Sequence, residues 1–209
     1  MNNPSLSRHA RRRLHTRKLL TQAALQLILE KGYAAISIQD ITERADLGRG
    51  TFYLHFKDKE DVIWTMFQDS LKELEQEAHK QIDRSMSQVE FFGFLNIFRH
   101  AEKNCDLCRV MFGGHGSAML TARVQDLLVK TFLYDIRNAP EPPDINFNLP
   151  EEFEAQMLTG IISRLLFWWL ETPTGYSAGE MAAMTYKAMY RKQPPALDAS
   201  GTTPRIQSL

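Results

Sequence analysis

Five polar side chains lie at closely spaced positions between residues 49 and 59: Arg49, Thr51, Tyr53, His55 and Lys59. They offer a forked guanidinium, a hydroxyl, a phenol, an imidazole and an ammonium, each able to donate hydrogen bonds. No nucleophile or carboxylate stands at a spacing that would couple His55 into acid–base or covalent catalysis, so the set does not read as an enzyme site. A row of donors suits an acceptor-rich anion instead. Arg49 can give two parallel bonds to guanine, and Thr51 can offer a hydroxyl, or a methyl for thymine. Tyr53 and His55 can hold phosphate oxygens, which fix register rather than sequence. Lys59, at the start of the next helix, adds an ammonium to a helix N-terminus that already favours phosphate.

The glycines of LGRGTFYLHF (47–56) raise the question of what positions these donors. A glycine within a short helix costs about 1 kcal/mol relative to alanine. Gly48 is expected to let the chain turn, and Gly50 to leave no Cβ where a helix approaches a sugar-phosphate edge. Upstream, Leu19, Ala23 and Leu27 with Leu20, Ala24 and Ile28 repeat at helical spacing, and Gly32 after Lys31 is a stop signal for a first helix over 12–31. Ser37 and Asp40 have the spacing of a capping box for a short second helix with Ile38, Ile41 and Ala45 on its buried side. Asp46, Leu47 and Gly48 read as a turn, and Arg49–His55 as a third helix, with Phe52 and Phe56 facing back into a small core with Leu47. Two short helices joined by such a turn are a helix-turn-helix, whose second helix enters the major groove while the first crosses the backbone. Ser37 and Gln39 are thereby further candidates for DNA contact. Arg8, Arg11, Arg12 and Arg13 would add sequence-independent, salt-sensitive affinity.

Charge agrees. The net charge is zero, yet residues 1–60 hold 11 Lys/Arg against 6 Asp/Glu and residues 61–209 hold 14 against 19. A basic end on an acidic body is a footprint for a polyanion at one end only. The 44% apolar content suffices for a packed core. No apolar run reaches the roughly 18 residues of a membrane span, no signal-type leader is evident, and two cysteines do not make a secreted disulfide scaffold. A cytoplasmic protein is expected.

The run from Thr16 to about Met66, with a helix ending in EKGY and then SIQDITERADLGRGTFYLHFKDKEDV, resembles the DNA-binding domain of the TetR/AcrR family of transcriptional repressors. The family's pattern falls on Thr51, Tyr53, His55, Phe56 and Lys59. The resemblance implies a nine-helix, all-α fold with three helices for DNA and six for effector binding and dimerisation. The corresponding division here is a basic arm over 1–12, the helix-turn-helix domain over 13–58, an effector and dimer domain over 59–192 and a tail over 193–209.

Further helices are expected at 59 onward, 87–104, 105–111, 117–138, 151–171 and 177–191, broken by GGHG at 113–116 and APEPPDINFNLP at 139–150. A lining of Met66, Phe67, Phe91, Phe94, Phe98, Met111, His115 and Trp168 is the expected effector site, although spacing alone reads most of these as core. Arg109 and Arg164 are further polar candidates for it. The family's use of its last two helices points to Met157, Ile161, Arg164, Leu165, Trp169 and Met184 as a two-fold interface, which a palindromic operator also requires. Cys105 and Cys108 form one C-x₂-C pair; plain thiols are the main reading, with redox or metal sensing as the alternatives. No cofactor or metal is expected. The function expected is a homodimeric repressor released from its operator by a small, mostly apolar or amphipathic effector. A transcriptional activator and an architectural DNA-binding protein without effector are the alternatives.

Overall fold

A computed structural model describes residues 7–79, 86–138, 149–191 and 193. Among these the chain is helical: α1 (Arg8–Lys31), a short 3-10 turn (Tyr33–Ala35), α2 (Ile38–Arg44), α3 (Arg49–Tyr53), α4 (Lys59–His79), α5 (Met86–Lys103), α6 (Cys105–Phe112), α7 (Ala118–Asn138), α8 (Glu151–Glu171) and α9 (Ala178–Tyr190). Most of the 139–150 break and of the C-terminal tail lies outside the described residues.

The caps explain the boundaries. The Ser7 hydroxyl accepts the Ala10 N–H at 3.2 Å, so α1 begins at Arg8 rather than at residue 12. Arg8, Arg11, Arg12 and Arg13 are consequently helical and exposed, not part of an arm preceding the helix. Gly32 ends α1 with φ 80°, a left-handed value that glycine takes without penalty. Ser37 and Asp40 close the expected capping box on α2, and Ser177 and Glu180 close another on α9.

The chain divides into two compact units, Met1–Ser70 with Asp106–Val124 and Leu71–Cys105 with Gln125–Leu209. The first reaches well past the expected boundary at residue 58, because α6 and the start of α7 pack back onto it. The Phe67 and Phe112 rings meet edge-on at 6.4 Å. Arg123 lies 3.9 Å over the Trp64 ring and 3.6 Å from Glu60, and the Tyr33 N–H donates to the His115 carbonyl. A Cβ at Gly116 would fall 2.0 Å from the Val110 carbonyl oxygen, so only glycine fits this return of the chain.

The second unit is held by aromatic packing of α5 against α9 and α8. Phe91 meets Tyr186 at 5.7 Å, Phe94 meets Tyr190 at 6.3 Å, and Phe98 meets Trp169 edge-on at 5.6 Å. Such pairs add about 0.5–1.5 kcal/mol each beyond the area they bury. Arg137 reaches Glu151 and Glu152 at 2.7 and 2.8 Å, tying the end of α7 to the start of α8.

The burial of the two tryptophans is the opposite of what an inward effector contact at Trp168 and an outward interface contact at Trp169 would require. Trp169 is buried (9% exposed) and its indole N–H donates to the Tyr176 carbonyl, whereas Trp168 is 38% exposed and stacks obliquely on Tyr176. Ala155, Thr159, Ile162, Leu166 and Trp169 form the inner stripe of α8. Phe153, Met157, Ile161, Leu165 and Trp168 lie exposed or half-exposed on its other side.

Candidate nucleic-acid interface

The reading head is built from the inside outward. Phe52 is fully buried and Phe56 nearly so, with ring centroids 5.9 Å apart. These two anchors hold α3, which at five residues could not persist as an isolated helix. The Arg17 guanidinium covers Phe56 from α1 at 5.7 Å while pairing with Asp69 of α4 at 2.8 Å. Arg44 grips Glu30 with two parallel bonds of 2.9 and 2.8 Å and so fixes α2 against α1. Arg17 and Arg44 are positioning residues that sequence reasoning missed. Their partners stand 52 and 14 positions away, too far for local spacing to signal them.

The connection between α2 and α3 turns at Asp46 (φ 52°), not at Gly48, whose φ of −76° and ψ of 150° are open to any residue. Aspartate tolerates the left-handed region through its short polar side chain, and the Leu47 N–H donating to the Thr42 carbonyl closes the bend. Gly48 is instead the N-cap of α3, and no side chain satisfies the helix's first N–H groups there. Among the described residues, chain neighbours and the helix's own backbone aside, nothing lies within 4 Å of a Cβ built at Gly48 or Gly50. The chain's own packing therefore does not demand glycine at either position; an outside backbone brought close to α3 would.

Arg49 and Gly50 are exposed, Thr51 is half-buried, and Tyr53 projects with 53% of its surface exposed. His55 is half-buried beside Phe56, and burial, reinforced by Arg13 and Arg17, holds its imidazole below the usual range. The neutral ring, with one N–H to give, is thereby favoured. Leu54, 77% exposed at the end of α3, is an apolar side chain on this surface that the sequence reading passed over.

Three expected contacts are already engaged within the chain. The Lys59 ammonium donates to the carbonyls of Tyr33 and Ile36 at 2.8 Å each and lies 4.4 Å from the Tyr33 ring. It clamps the turn after α1 to the start of α4, leaving one of its three protons for any other acceptor. The Tyr33 phenol is itself pushed up to about 12, by burial first and then by Glu60 and Asp58. The Ser37 hydroxyl donates to the Asp40 carboxylate and accepts the Asp40 N–H, so its proton is committed to the cap. The Gln39 amide donates to Glu43 at 2.8 Å along the outer face of α2.

The other expected site does not gather in one unit. Met66, Phe67, Met111 and His115 belong to the first unit, and Phe91, Phe94, Phe98 and Trp168 to the second. Phe67, Phe91, Phe94, Phe98 and Met111 are buried, and the phenylalanines already stack on other rings. Arg109 lies 3.7 Å from Asp106, and the Arg164 guanidinium is 5.0 Å from the Phe167 ring. Among the described residues no group of three His, Cys, Asp or Glu side chains could hold a metal ion. None of their helices is long and apolar enough to cross a membrane.

A helix-turn-helix whose second helix offers Arg49, Thr51 and Tyr53 outward on two buried phenylalanines defines a DNA-binding regulator. Residues 20–63 match the family described as bacterial regulatory proteins, tetR family, and residues 90–191 match the transcriptional regulator C-terminal region. The chain belongs to the TetR family of transcriptional regulators and is not an enzyme. An uncharacterized HTH-type transcriptional regulator of Bacillus subtilis strain 168, YxbF, is 43% identical over 65 residues, 31% of this chain and 17% of that protein. The fatty acid metabolism regulator protein of the same organism is 26% identical over 102 residues, 49% of this chain and 48% of that one. The chain thus spans less than half the length of these curated relatives. Among solved structures, a TetR-family regulator from Syntrophomonas wolfei superposes with a TM-score of 0.70 at 21% identity, covering 86% of this chain and 96% of that one. FadR from Bacillus subtilis, crystallised with stearoyl-CoA, gives 0.64 at 18% identity, covering 83% and 97%. At these identities the structural likeness concerns the fold.

Proposed function

We propose that the protein is a homodimeric repressor that reads a palindromic operator with α3 and leaves it when a small, mostly apolar molecule binds in the helical body. The observation that carries the DNA half is the outward Arg49–Thr51–Tyr53 face on α3, flanked by glycines that no internal packing requires. Arg49 and Thr51 read bases. Tyr53, His55, the exposed arginines of α1 and the remaining proton of Lys59 hold phosphate. The protein acts in the cytoplasm, where its DNA is.

The dimer forms through the outer stripe of α8, from Phe153 through Met157, Ile161 and Leu165 to Trp168, with Met184 of α9 beside it. A monomer would leave these large apolar side chains facing water along about four turns of helix, and a second copy across a two-fold axis covers them. Arg164 lies at the rim. The acyl ligand in the FadR crystal supports an effector with a long apolar part. Operator and effector oppose one another by the same factor in both directions.

A Leu165→Glu variant tests the assembly. It is expected to sediment as a helical monomer and to bind a two-half-site duplex at least tenfold more weakly, since one half-site alone holds few contacts. An intact dimer in that variant would move the interface off α8.

A further inference from the structure

Thr159 and Ser163 stand one turn apart on α8, within the second unit, and their hydroxyl oxygens are buried without a hydrogen-bond partner. The other buried serine and threonine residues among the described residues differ. The buried polar side chains among the described residues are Thr42, Ser70, Thr159 and Thr185. Thr42 donates to the Gln39 carbonyl at 3.0 Å, Ser70 to Phe67 at 2.8 Å and Thr185 to Met181 at 2.7 Å. Thr159 has the same option one turn back along its own helix and does not take it. Its hydroxyl, and that of Ser163, therefore stay unbonded on a helix whose buried side also carries Ala155, Ile162 and Leu166.

We propose that Thr159 and Ser163 form the hydrogen-bonding point of the effector site, and that the effector is an uncharged, mostly apolar molecule presenting a carbonyl or hydroxyl oxygen to them. This rests on the effector-responsive reading above and narrows its ligand. Side chains four apart on a helix have Cβ atoms about 5–6 Å apart, close enough to share one oxygen or to take two neighbouring ones. Hydroxyls both donate and accept, so a ketone, an ester and an alcohol all satisfy them. The described surroundings disfavour an ionic head. No acidic or basic side chain is among the buried residues described, and a buried charge without a partner is strongly disfavoured.

The test uses the full chain, the double variant Thr159→Val/Ser163→Ala and the control Thr185→Val. The control gives up a satisfied buried bond and is expected to melt about 2–6 °C lower. The double variant removes unpartnered hydroxyls and is expected to melt at or above the parent. Four probes carrying a similar alkyl chain are then compared for operator release: 2-decanone, decane, decanoate and decyltrimethylammonium. 2-Decanone is expected to release the parent and to act at least tenfold more weakly on the double variant, with decane inactive on both. A double variant that melts as low as the control, satisfied by water or by its own fold, would overturn the assignment. So would equal action of 2-decanone on parent and variant, or release by the charged probes alone, and in either case the effector-responsive reading would stand. If no probe released the operator and the double variant melted low, both readings would fall.

Discussion

Gly50→Ala separates what the chain needs from what its partner needs. The added methyl meets nothing within 4 Å beyond its own helix and chain neighbours, and Gly50 is not one of the described glycines with positive φ, which are Gly32 and Gly175. Alanine should therefore fit the free protein and stabilise it by about 0.4–1 kcal/mol, chiefly by restricting the unfolded chain. For a chain of this size that raises Tm by about 1–4 °C. On DNA the same methyl stands between α3 and the sugar-phosphate edge. Displacing the helix enough to lose one charge-assisted phosphate bond costs about 1.5–3 kcal/mol, a ten- to hundredfold loss of affinity. The two effects have opposite signs, so a folding defect cannot imitate the binding defect. Thermal unfolding by circular dichroism gives the first, and fluorescence anisotropy with a selected operator duplex gives the second. A stabilised variant with unchanged affinity would show that no backbone approaches Gly50. A variant with lowered Tm would refute the open packing on which the reasoning stands.

Outcomes are also expected for four other variants. Arg49→Ala should relax preference at one base pair per half-site, costing about 1–3 kcal/mol there, and selection from random duplexes returning the parental site would contradict its reading role. Trp169→Ala should destabilise the protein by about 3–5 kcal/mol, because it empties the space against Phe98 and orphans the Tyr176 carbonyl. Trp168→Ala should leave monomer unfolding nearly unchanged and weaken dimerisation in sedimentation; equal thermal losses in the two variants would erase the inside–outside distinction. Lys59→Met keeps the aliphatic stem but removes two charged bonds, so a loss of about 1.5–3 kcal/mol in denaturant unfolding is expected. Unchanged stability with a salt slope lowered by a full unit would assign the ammonium to phosphate instead.

Where one residue pattern had one physical solution, the sequence was legible. The Ser37–Asp40 spacing closed as a capping box, and the Phe52–Phe56 spacing put both rings inside. Helix-breaking GGHG fell between α6 and α7 as expected. The errors arose where composition left several solutions. LLFWWL is apolar on every side of its helix, so spacing could not decide which tryptophan faces inward; the packing of α5 decides it. Gly48 carried the obvious turn signal, yet the left-handed residue is Asp46, which meets the need two positions earlier. Lys59 reads from sequence as a donor for DNA because its internal acceptors, the Tyr33 and Ile36 carbonyls, appear only once the chain has folded. The return of α6 and α7 to the first unit rests on contacts such as Arg123 with Trp64, which no local window contains.

The five-residue length of α3 has a consequence for how such a protein diversifies. A helix this short draws almost none of its persistence from its own hydrogen bonds and nearly all from Phe52 and Phe56. The outward positions 49, 51 and 53 therefore contribute little to holding the element in place. On the proposed reading, exchanging Arg49 and Thr51 alters which bases are read, and exchanging Tyr53 alters how the backbone is held, while the fold stays almost untouched, so drift across operator preferences can proceed without passing through unfolded intermediates. A library randomised at those three positions, with the two phenylalanines kept, should yield mostly folded members with widely scattered sequence preferences. The short, externally anchored helix makes specificity an interchangeable part.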